Sequence, residues 1–226
     1  MKYEYLIFNF LVVLVPIIYS FEKRLFFISK WRFVCPALLI SLPPYIIWDI
    51  IVTGEHWHFN PKYTLDFQIA RLPIGEWLFF LTIPFACLFI WEVIGTYRQD
   101  QIQPELGLVR SILGLCLPIG ILVFNHGKQY TGLVLIFLST VAAIDHQLRT
   151  NLFARTQTYI YILVIATLIL LFNGYLTARP VVLYGESYQT GVLIFTIPIE
   201  DFGYGFSLIL LNTIFYEKLK EGNFAQ

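Results

Sequence analysis

Charged residues are scarce in this sequence, and their scarcity excludes an ordinary soluble domain. Only 13% of the 226 residues are Asp, Glu, Lys or Arg, whereas 58% are hydrophobic. Soluble domains carry about 25% charged residues. A chain of this size cannot bury so much apolar surface within itself, so lipid must solvate most of it. The 15 basic and 15 acidic residues cancel, which leaves no basic field for nucleic acid. The sequence therefore predicts one compact domain that is integral to a membrane.

Several signatures of metal and cofactor sites are also missing. Cys35, Cys87 and Cys116 lie singly in apolar runs without a CxxC pair, so we expect buried packing residues rather than a disulfide or a zinc site. Four histidines are too few for a membrane di-iron oxygenase, and no Asp-x-x-Asp signature indicates a magnesium–diphosphate site. The last apolar segment contains no lysine, which excludes a retinal-binding protein. We therefore expect neither a metal ion nor a cofactor.

Seven charge-free segments become long enough to cross a bilayer as helices once their polar flanks are included. They are residues 5–21, 33–48, 77–91, 111–127, 129–144, 156–178 and 202–216. Prolines inside these segments predict kinks rather than helix ends, because neighbouring helices can satisfy the freed carbonyl groups. The pair Pro43–Pro44 should bend the second helix strongly. The predicted fold class is an all-α polytopic membrane protein with about seven transmembrane helices.

The basic residues of the predicted loops indicate the orientation in the membrane. With the N-terminus outside, ten of the 15 Lys and Arg residues fall on the cytoplasmic side, many of them in the first cytoplasmic loop. The sequence therefore predicts a multi-pass protein of the plasma membrane, with its N-terminus outside and its C-terminus in the cytoplasm.

An internal repeat is the most informative feature of the sequence. The segment Pro73–Trp77 (PIGEW) matches Pro198–Phe202 (PIEDF). From each proline an acid follows at +3 and a glutamate at +19: Glu76 and Glu92 in the first copy, Asp201 and Glu217 in the second. Such self-similarity predicts two three-helix repeats in the same orientation, with a site between them. The predicted divisions are 1–97 for the first repeat, 98–128 for a linker with an extra helix, and 129–226 for the second repeat.

Acidic residues at the beginnings of the repeated helices are the candidates for chemistry. Glu76 and Asp201 could simply complement a helix dipole, as first-turn acids often do. The alternative is a pair of protonatable carboxyl groups at the rim of a lipid-filled cleft, which the recurrence of the acid in both copies favours. Glu200 lies about 100° around the helix from Asp201, so both can approach one cavity. Asp49, near the end of the second helix, is a further candidate, because acids within membrane helices are often functional. By contrast, we expect Glu92 and Glu217 to be solvated at the cytoplasmic helix ends.

The sequence around these acids resembles the small, flavin-free lycopene cyclases, which occur as two short subunits or as one fused chain. Their signature, Pro-x-Glu-(Glu/Asp), occurs once per half. The segment Pro198–Asp201 fits it fully, whereas Gly75 departs from it in the first copy. The surrounding blocks also resemble the family, and together they extend over essentially the whole chain: IIWD at 46–49, WHFNPKY at 57–63, LPIGEWLFF at 72–80 and IPIEDFGYGF at 197–206.

This resemblance implies a lycopene β-cyclase. In the family's reaction a carboxylic acid protonates the terminal double bond of a ψ-end, a neighbouring double bond closes the ring, and proton loss yields the β-ionone end of γ- or β-carotene. Nothing is oxidised overall, so no cofactor is required. The implied partners are lycopene, the monocyclic carotenoid and the lipid bilayer; self-association stays open. The candidate catalytic residues are Glu76, Glu200, Asp201 and Asp49, and the Gly75 departure favours the second copy for the acid–base pair.

Aromatic side chains close to these acids are expected to bind the substrate and stabilise its cation. They are Trp48, Trp77, Phe80, Phe202, Tyr204 and Phe206. Two alternatives to the cyclase stay open. One is a carotenoid hydratase, which would use the same protonation but capture the cation with water in a wetter pocket. The other is a non-enzymatic membrane carrier built from the two repeats, which Lys or Arg residues along a central path would favour; here the basic residues lie at or near the ends of the spans.

Overall fold

The computed structural model describes residues 2–224, and it is mostly helical. Within these residues the helices are α1 (Glu4–Tyr19), α2 (Trp31–Val52), α3 (Ile74–Tyr97), α4 (Leu108–Gly114), α5 (Cys116–Asn125), α6 (Gln129–Leu148), α7 (Thr156–Leu168), α8 (Gly174–Ala178) and α9 (Ile199–Phe224). The short strands are β1 (Trp57–Phe59), β2 (Gln68–Ile69), β3 (Leu72–Pro73), β4 (Val182–Tyr184), β5 (Leu193–Ile194) and β6 (Ile197–Pro198). All seven apolar segments of the sequence fall largely on helix.

Five helical stretches are long and apolar enough to cross a membrane. They are Phe27–Val52, Ile74–Tyr97, Pro104–Asn125, Gln129–Leu148 and Thr156–Ala178. The first of them includes a 3₁₀ turn before α2, the third joins α4 to α5, and the last joins α7 to α8 through the π-helical turn Ile169–Asn173. These apolar helices fit a membrane protein. Because α1 has only 16 residues and α9 is more polar, the seven-span arrangement stays a prediction.

Prolines and cysteines show how the helices use their apolar surroundings. Helix α2 continues as one helix through Pro36, Pro43 and Pro44. All three cysteines are free, but only Cys87 is buried, and Cys35 is exposed. The expectation of three buried packing residues is therefore confirmed for Cys87 and wrong for Cys35 and for Cys116, which is only partly buried. A small apolar side chain has no need of burial on a helix face that lipid can cover.

Two β-hairpins lead directly into the helices that carry the repeated acids. Strands β2 and β3 are antiparallel, with Gln68 opposite Pro73, and α3 begins at the next residue. Strands β5 and β6 are antiparallel with Leu193 opposite Pro198, and α9 again begins at the next residue. In each hairpin the last paired residue is the proline directly before the helix. Both hairpins thus fix the first turn of their helix in the same way.

Helix α9 lies at the centre of the bundle. It packs against α2, α3, α6 and α7, while α1 packs along α3. The α4–α5 stretch packs along α6, where a Cβ atom on Gly132 would lie 2.5 Å from the backbone nitrogen of Phe124. Close approach of small residues is a common way to hold membrane helices together. Strands β1 and β4 pair antiparallel and connect the segment after α2 with the segment after α8.

Candidate active site

One cavity brings three of the candidate acids together. Asp49 from the end of α2, Glu76 from the first turn of α3 and Asp201 from the first turn of α9 all line it. The rest of its wall is mostly apolar, and its aromatic members are Tyr5, Trp57, Phe59, Phe79, Phe80, Tyr130, Tyr184 and Tyr204. Among the described residues, no Lys, Arg or His lines this cavity. We call it the carboxyl cavity.

Glu76 is held by a tyrosine from α1. The Tyr5 hydroxyl donates a hydrogen bond of 2.5 Å to Glu76 Oε2, and the Glu76 residue is only 8% exposed. No other hydrogen bond to the Glu76 carboxyl group is found in the described part of the chain, so Oε1 is left without a protein partner. A carboxyl group placed in this way can present one oxygen to an apolar molecule inside the cavity.

Gly75 permits this contact. A Cβ atom at position 75 would lie 2.7 Å from Cδ1 of Tyr5, so the tyrosine ring packs directly over the backbone at the start of α3. Asn9 of α1 adds a hydrogen bond of 3.0 Å to the Gly75 carbonyl oxygen. The departure from the family signature at Gly75 therefore has a structural reason: a side chain there would displace the ring that binds Glu76.

Asp201 accepts hydrogen bonds from three donors. Tyr130 of α6 donates to Oδ1 at 2.7 Å, while Asn173 at the end of the π-helical turn and Tyr184 of β4 donate to Oδ2 at 2.6 and 2.8 Å. Burial, and after it the nearby Asp201 carboxyl group, raise the pKa of the Tyr184 hydroxyl well above its usual value. This hydroxyl therefore remains a donor. Three donors and no acceptor are the surroundings that suit an ionised carboxylate, which can only accept.

The two tyrosine–acid pairs occupy corresponding positions. Tyr5 precedes Glu76 by 71 residues, and Tyr130 precedes Asp201 by 71 residues. Each tyrosine is also the second residue of its helix, α1 or α6. These tyrosines were missed by the sequence reasoning, although the equal spacing was a signal that could have found them.

Asp49 lies against the β1 strand. Trp57 Nε1 donates to its Oδ1 at 2.6 Å and Thr53 Oγ1 does so at 3.4 Å, whereas Oδ2 is buried without a partner in the described residues. Asp49 and Glu76 line the same cavity. Asn173 lies 25 residues before Pro198 and Asp49 lies 24 residues before Pro73, so the two positions match once the second copy is allowed one extra residue. Asn173 contributes an amide to Asp201, whereas Asp49 contributes a second acid to the cavity that contains Glu76.

Glu200 points away from the carboxyl cavity. Its Oε1 accepts hydrogen bonds of 2.6 Å from Thr131 Oγ1 and 2.7 Å from the backbone nitrogen of Thr190, and it does not line the cavity. Its Oε2 is buried and has no partner in the described part of the chain. Adjacent positions on α9 thus direct Glu200 towards α6 and Asp201 towards the cavity.

The aromatic candidates divide in a similar way. Phe80 and Tyr204 line the carboxyl cavity, whereas Trp48, Trp77, Phe202 and Phe206 do not. The Trp77 indole donates a hydrogen bond of 3.1 Å to the Ile69 carbonyl oxygen, which ties α3 to its hairpin. The further aromatic side chains of the cavity come from strands β1 and β4, from the starts of α1 and α6, and from Phe79 of α3.

Glu92 and Glu217 are buried, so the expectation that they are solvated is wrong. Their exposed fractions are 7% and 8%. Arg155 donates to Glu217 at 2.7 Å, Lys30 pairs with Glu92, and Lys220 reaches both acids, at 2.6 Å to Glu92 and 3.1 Å to Glu217. Lys30 and Arg155, which precede α2 and α7, and Lys220 of α9 replace water as partners of these acids. In the described residues, no group of three or more His, Cys, Asp or Glu could hold a metal ion.

Comparison with known proteins identifies one family. A family model described as lycopene cyclase matches the chain in two segments, residues 2–94 and 127–219. The first segment contains Tyr5, Asp49 and Glu76, and the second contains Tyr130 and Asp201. No curated protein and no solved structure matches the chain significantly.

Proposed function

We propose that this chain, which belongs to the lycopene cyclase family, is a lycopene β-cyclase that closes β-ionone rings at the ψ-ends of lycopene by acid catalysis. One observation carries this proposal: three buried carboxyl groups line one aromatic cavity in which no described cation is present. Carboxyl groups in such surroundings suit the protonation of a double bond, because removal from water and from cations disfavours the charged form.

The reaction proposed is an isomerisation. A carboxyl proton adds to the terminal double bond of the ψ-end, which leaves a tertiary carbocation. The electron pair of a neighbouring double bond then forms the new carbon–carbon bond of the six-membered ring and moves the positive charge into the ring. Loss of a ring proton to a carboxylate restores a double bond. One proton is added and one removed, so the product has the composition of the substrate.

Glu76 is the proposed proton donor. Its Oε2 is fixed by Tyr5, and its Oε1 has no hydrogen-bond partner in the described chain, so the free oxygen can face a double bond in the cavity. Asp49 lines the same cavity, and two like charges in an apolar site oppose each other. This proximity supports a protonated Glu76 beside an acidic neighbour.

Asp201 is the proposed proton acceptor and the counter-charge of the cation. Its three hydrogen-bond donors stabilise a carboxylate without supplying a positive charge. The faces of Tyr204, Phe80 and Trp57 add cation–π attraction, and the apolar wall keeps water away from the cation. Shortage of water favours ring closure over hydration, which supports a cyclase rather than a hydratase.

Expression of the full chain in a host that accumulates lycopene tests the proposal. Pigment chromatography should show γ-carotene and β-carotene appearing as lycopene disappears, with no flavin added to isolated membranes. A hydroxylated product in their place would instead support the hydratase. Unchanged lycopene, in membranes shown by immunoblot to contain the protein, would contradict both.

A further inference from the structure

A second cavity continues from the carboxyl cavity towards the middle of the helix bundle. The two cavities share five lining residues, Phe79, Ile83, Ile169, Asn173 and Ile209. The second cavity is lined further by Val12 of α1, by Ala86 and Cys87 of α3, and by Ile165, Leu168 and Phe172 of the α7 stretch. We call it the apolar channel. Among the described residues, Asn173 is the only polar one that lines it, and that amide is bound to Asp201.

The channel extends well beyond the acids. Val12 is seven residues along α1 from Tyr5, and Ala86 is ten residues along α3 from Glu76, which correspond to roughly 10 and 15 Å at 1.5 Å per residue. Ile165 lies eight residues before Asn173, so the opposite wall runs equally deep, about 12 Å. An apolar chain could therefore lie along the helices with its end group among the carboxyl groups.

The π-helical turn forms the wall where the two cavities meet. Ile169, Phe172 and Asn173 belong to this turn, and all three line the channel. Single π-helical turns inside α-helices are often found at functional sites. This turn brings an apolar wall for the channel and an amide donor for Asp201 into one element.

We propose that the apolar channel holds the polyene chain of the substrate, so that its end group reaches the carboxyl cavity. This inference rests on the proposed function. The occupant is a long acyclic hydrocarbon rather than a lipid or a peptide, because the channel offers no described charge or free polar group and opens directly onto the site of protonation. Val12 and Ala86, as small side chains along the walls, leave the space that the chain fills.

Helix α1 provides a matched pair of variants. Val12 faces the channel, whereas the next residue, Val13, lines a separate apolar groove with Cys35, Leu38 and Phe85 on the other side of α1. That groove shares no lining residue with the carboxyl cavity. The same substitution at these neighbouring positions therefore adds the same bulk to the same helix but fills only one route to the acids.

The test compares Val12→Trp with Val13→Trp on two substrates. One substrate is lycopene, and the other is a truncated acyclic isoprenoid that carries the same end group on a chain too short to reach Val12. We expect Val12→Trp to lower the ratio of lycopene conversion to short-substrate conversion at least tenfold, while Val13→Trp leaves the ratio within twofold of wild type. An unchanged ratio in Val12→Trp, or an equal fall in both variants, would overturn the channel.

A milder variant protects the test against misfolding. If Val12→Trp converts neither substrate, the same ratio is measured in Ala86→Val, which adds only two methyl groups to the channel wall. A fall in the ratio supports the channel, and an unchanged ratio overturns it. If the wild-type chain converts neither substrate, the proposed function fails. The channel is then judged by carotenoid retained on the purified protein, which should be lost in Val12→Trp and kept in Val13→Trp; equal retention in the two would reject it.

Discussion

At the scale of single residues, the site distinguishes acids that look alike in the sequence. Asp201 receives three hydrogen bonds and Glu76 receives one, although both are the third residue of their helix. Hydrogen bonds to the charged form of a carboxyl group favour that form. The number of donors around each acid therefore distinguishes Glu76, the proposed proton donor, from Asp201, the proposed proton acceptor.

Conservative substitutions of the acids test this assignment. Asp201→Asn and Glu76→Gln should each lower lycopene conversion at least 100-fold, because each removes a group that must carry the transferred proton or balance the cation. Glu200→Gln is the matched control, since its Oε1 contacts lie outside the carboxyl cavity and the amide keeps the bond from Thr190. The measurement is lycopene conversion by pigment chromatography, divided by the amount of membrane-inserted protein determined by immunoblot. Loss of activity in Glu200→Gln equal to that in Asp201→Asn would extend the site to Glu200.

At the scale of the elements, the starts of the helices converge on the cavity. Tyr5 and Tyr130 come from the first turns of α1 and α6, while Glu76 and Asp201 come from the first turns of α3 and α9. The hairpins β2–β3 and β5–β6 fix where α3 and α9 begin. The two hairpins therefore set the position of Glu76 relative to Tyr5 and of Asp201 relative to Tyr130.

The opposite helix ends are joined by crossed contacts. Tyr216 of α9 donates to Glu92 of α3 at 2.7 Å, and Trp91 of α3 donates to Glu217 of α9 at 2.9 Å. Each aromatic residue lies directly before the glutamate of its own helix and donates to the glutamate of the other helix, so the two bonds are equivalent. This crossed pair lies about 24 Å along α3 from Glu76. It stabilises the pairing of α3 with α9 and has no part in the proposed chemistry.

A substitution at Gly75 tests how closely α1 and α3 must pack. Gly75→Ala should destabilise the protein by about 1–3 kcal/mol, the usual cost of added bulk in a packed core. The new Cβ would meet the Tyr5 ring at 2.7 Å. Thermal unfolding of the purified protein in detergent measures the change, and the added cost of Gly75→Ala should largely disappear when it is measured in a Tyr5→Ala background. A single variant as stable as wild type would show that the ring moves aside freely.

At the scale of the whole molecule, two similar segments build one site. Each of the two segments matched by the family model supplies a tyrosine, an acid and a hairpin, and the antiparallel pair β1–β4 links them next to the cavity. These matching features support the prediction of two three-helix repeats divided at 1–97, 98–128 and 129–226. The α4–α5 stretch packs along α6, and none of its described residues lines the carboxyl cavity.

The predicted orientation can be tested by labelling single cysteines. In a full-length variant without its native cysteines, Lys62→Cys should react with a membrane-impermeant maleimide on intact cells, and Lys23→Cys only after the cells are permeabilised. Both lysines are exposed, so accessibility to water is matched. The reverse pattern would place the N-terminus in the cytoplasm, whereas labelling of both from outside would show that α2, which lies between the two lysines, does not cross the membrane.

Much of the molecule could be predicted from the sequence because lipid imposes simple rules. The apolar segments gave the helices, since an unpaired backbone is too costly in hydrocarbon to leave in any other form. The recurrence of Pro73 and Pro198 gave the positions of Glu76 and Asp201 at matching helix starts. Charge alone did not give the state of Glu92 and Glu217, because most of their partners lie on other elements. Lys30 before α2 and Lys220 of α9 bind Glu92, and Arg155 before α7 binds Glu217, which also pairs with Lys220 on its own helix.

By itself, then, the sequence determined that the chain is helical, apolar and internally repeated, and that acids open two corresponding helices. These properties depend on local composition and spacing, which a linear pattern records. Only the tertiary structure decided that Asp49, Glu76 and Asp201 share one cavity while Glu200 does not, and that tyrosines from α1 and α6 hold the acids. Contacts between residues 71 positions apart depend on how helices pack against each other, and that packing is set by shape and by the whole bundle rather than by any short segment.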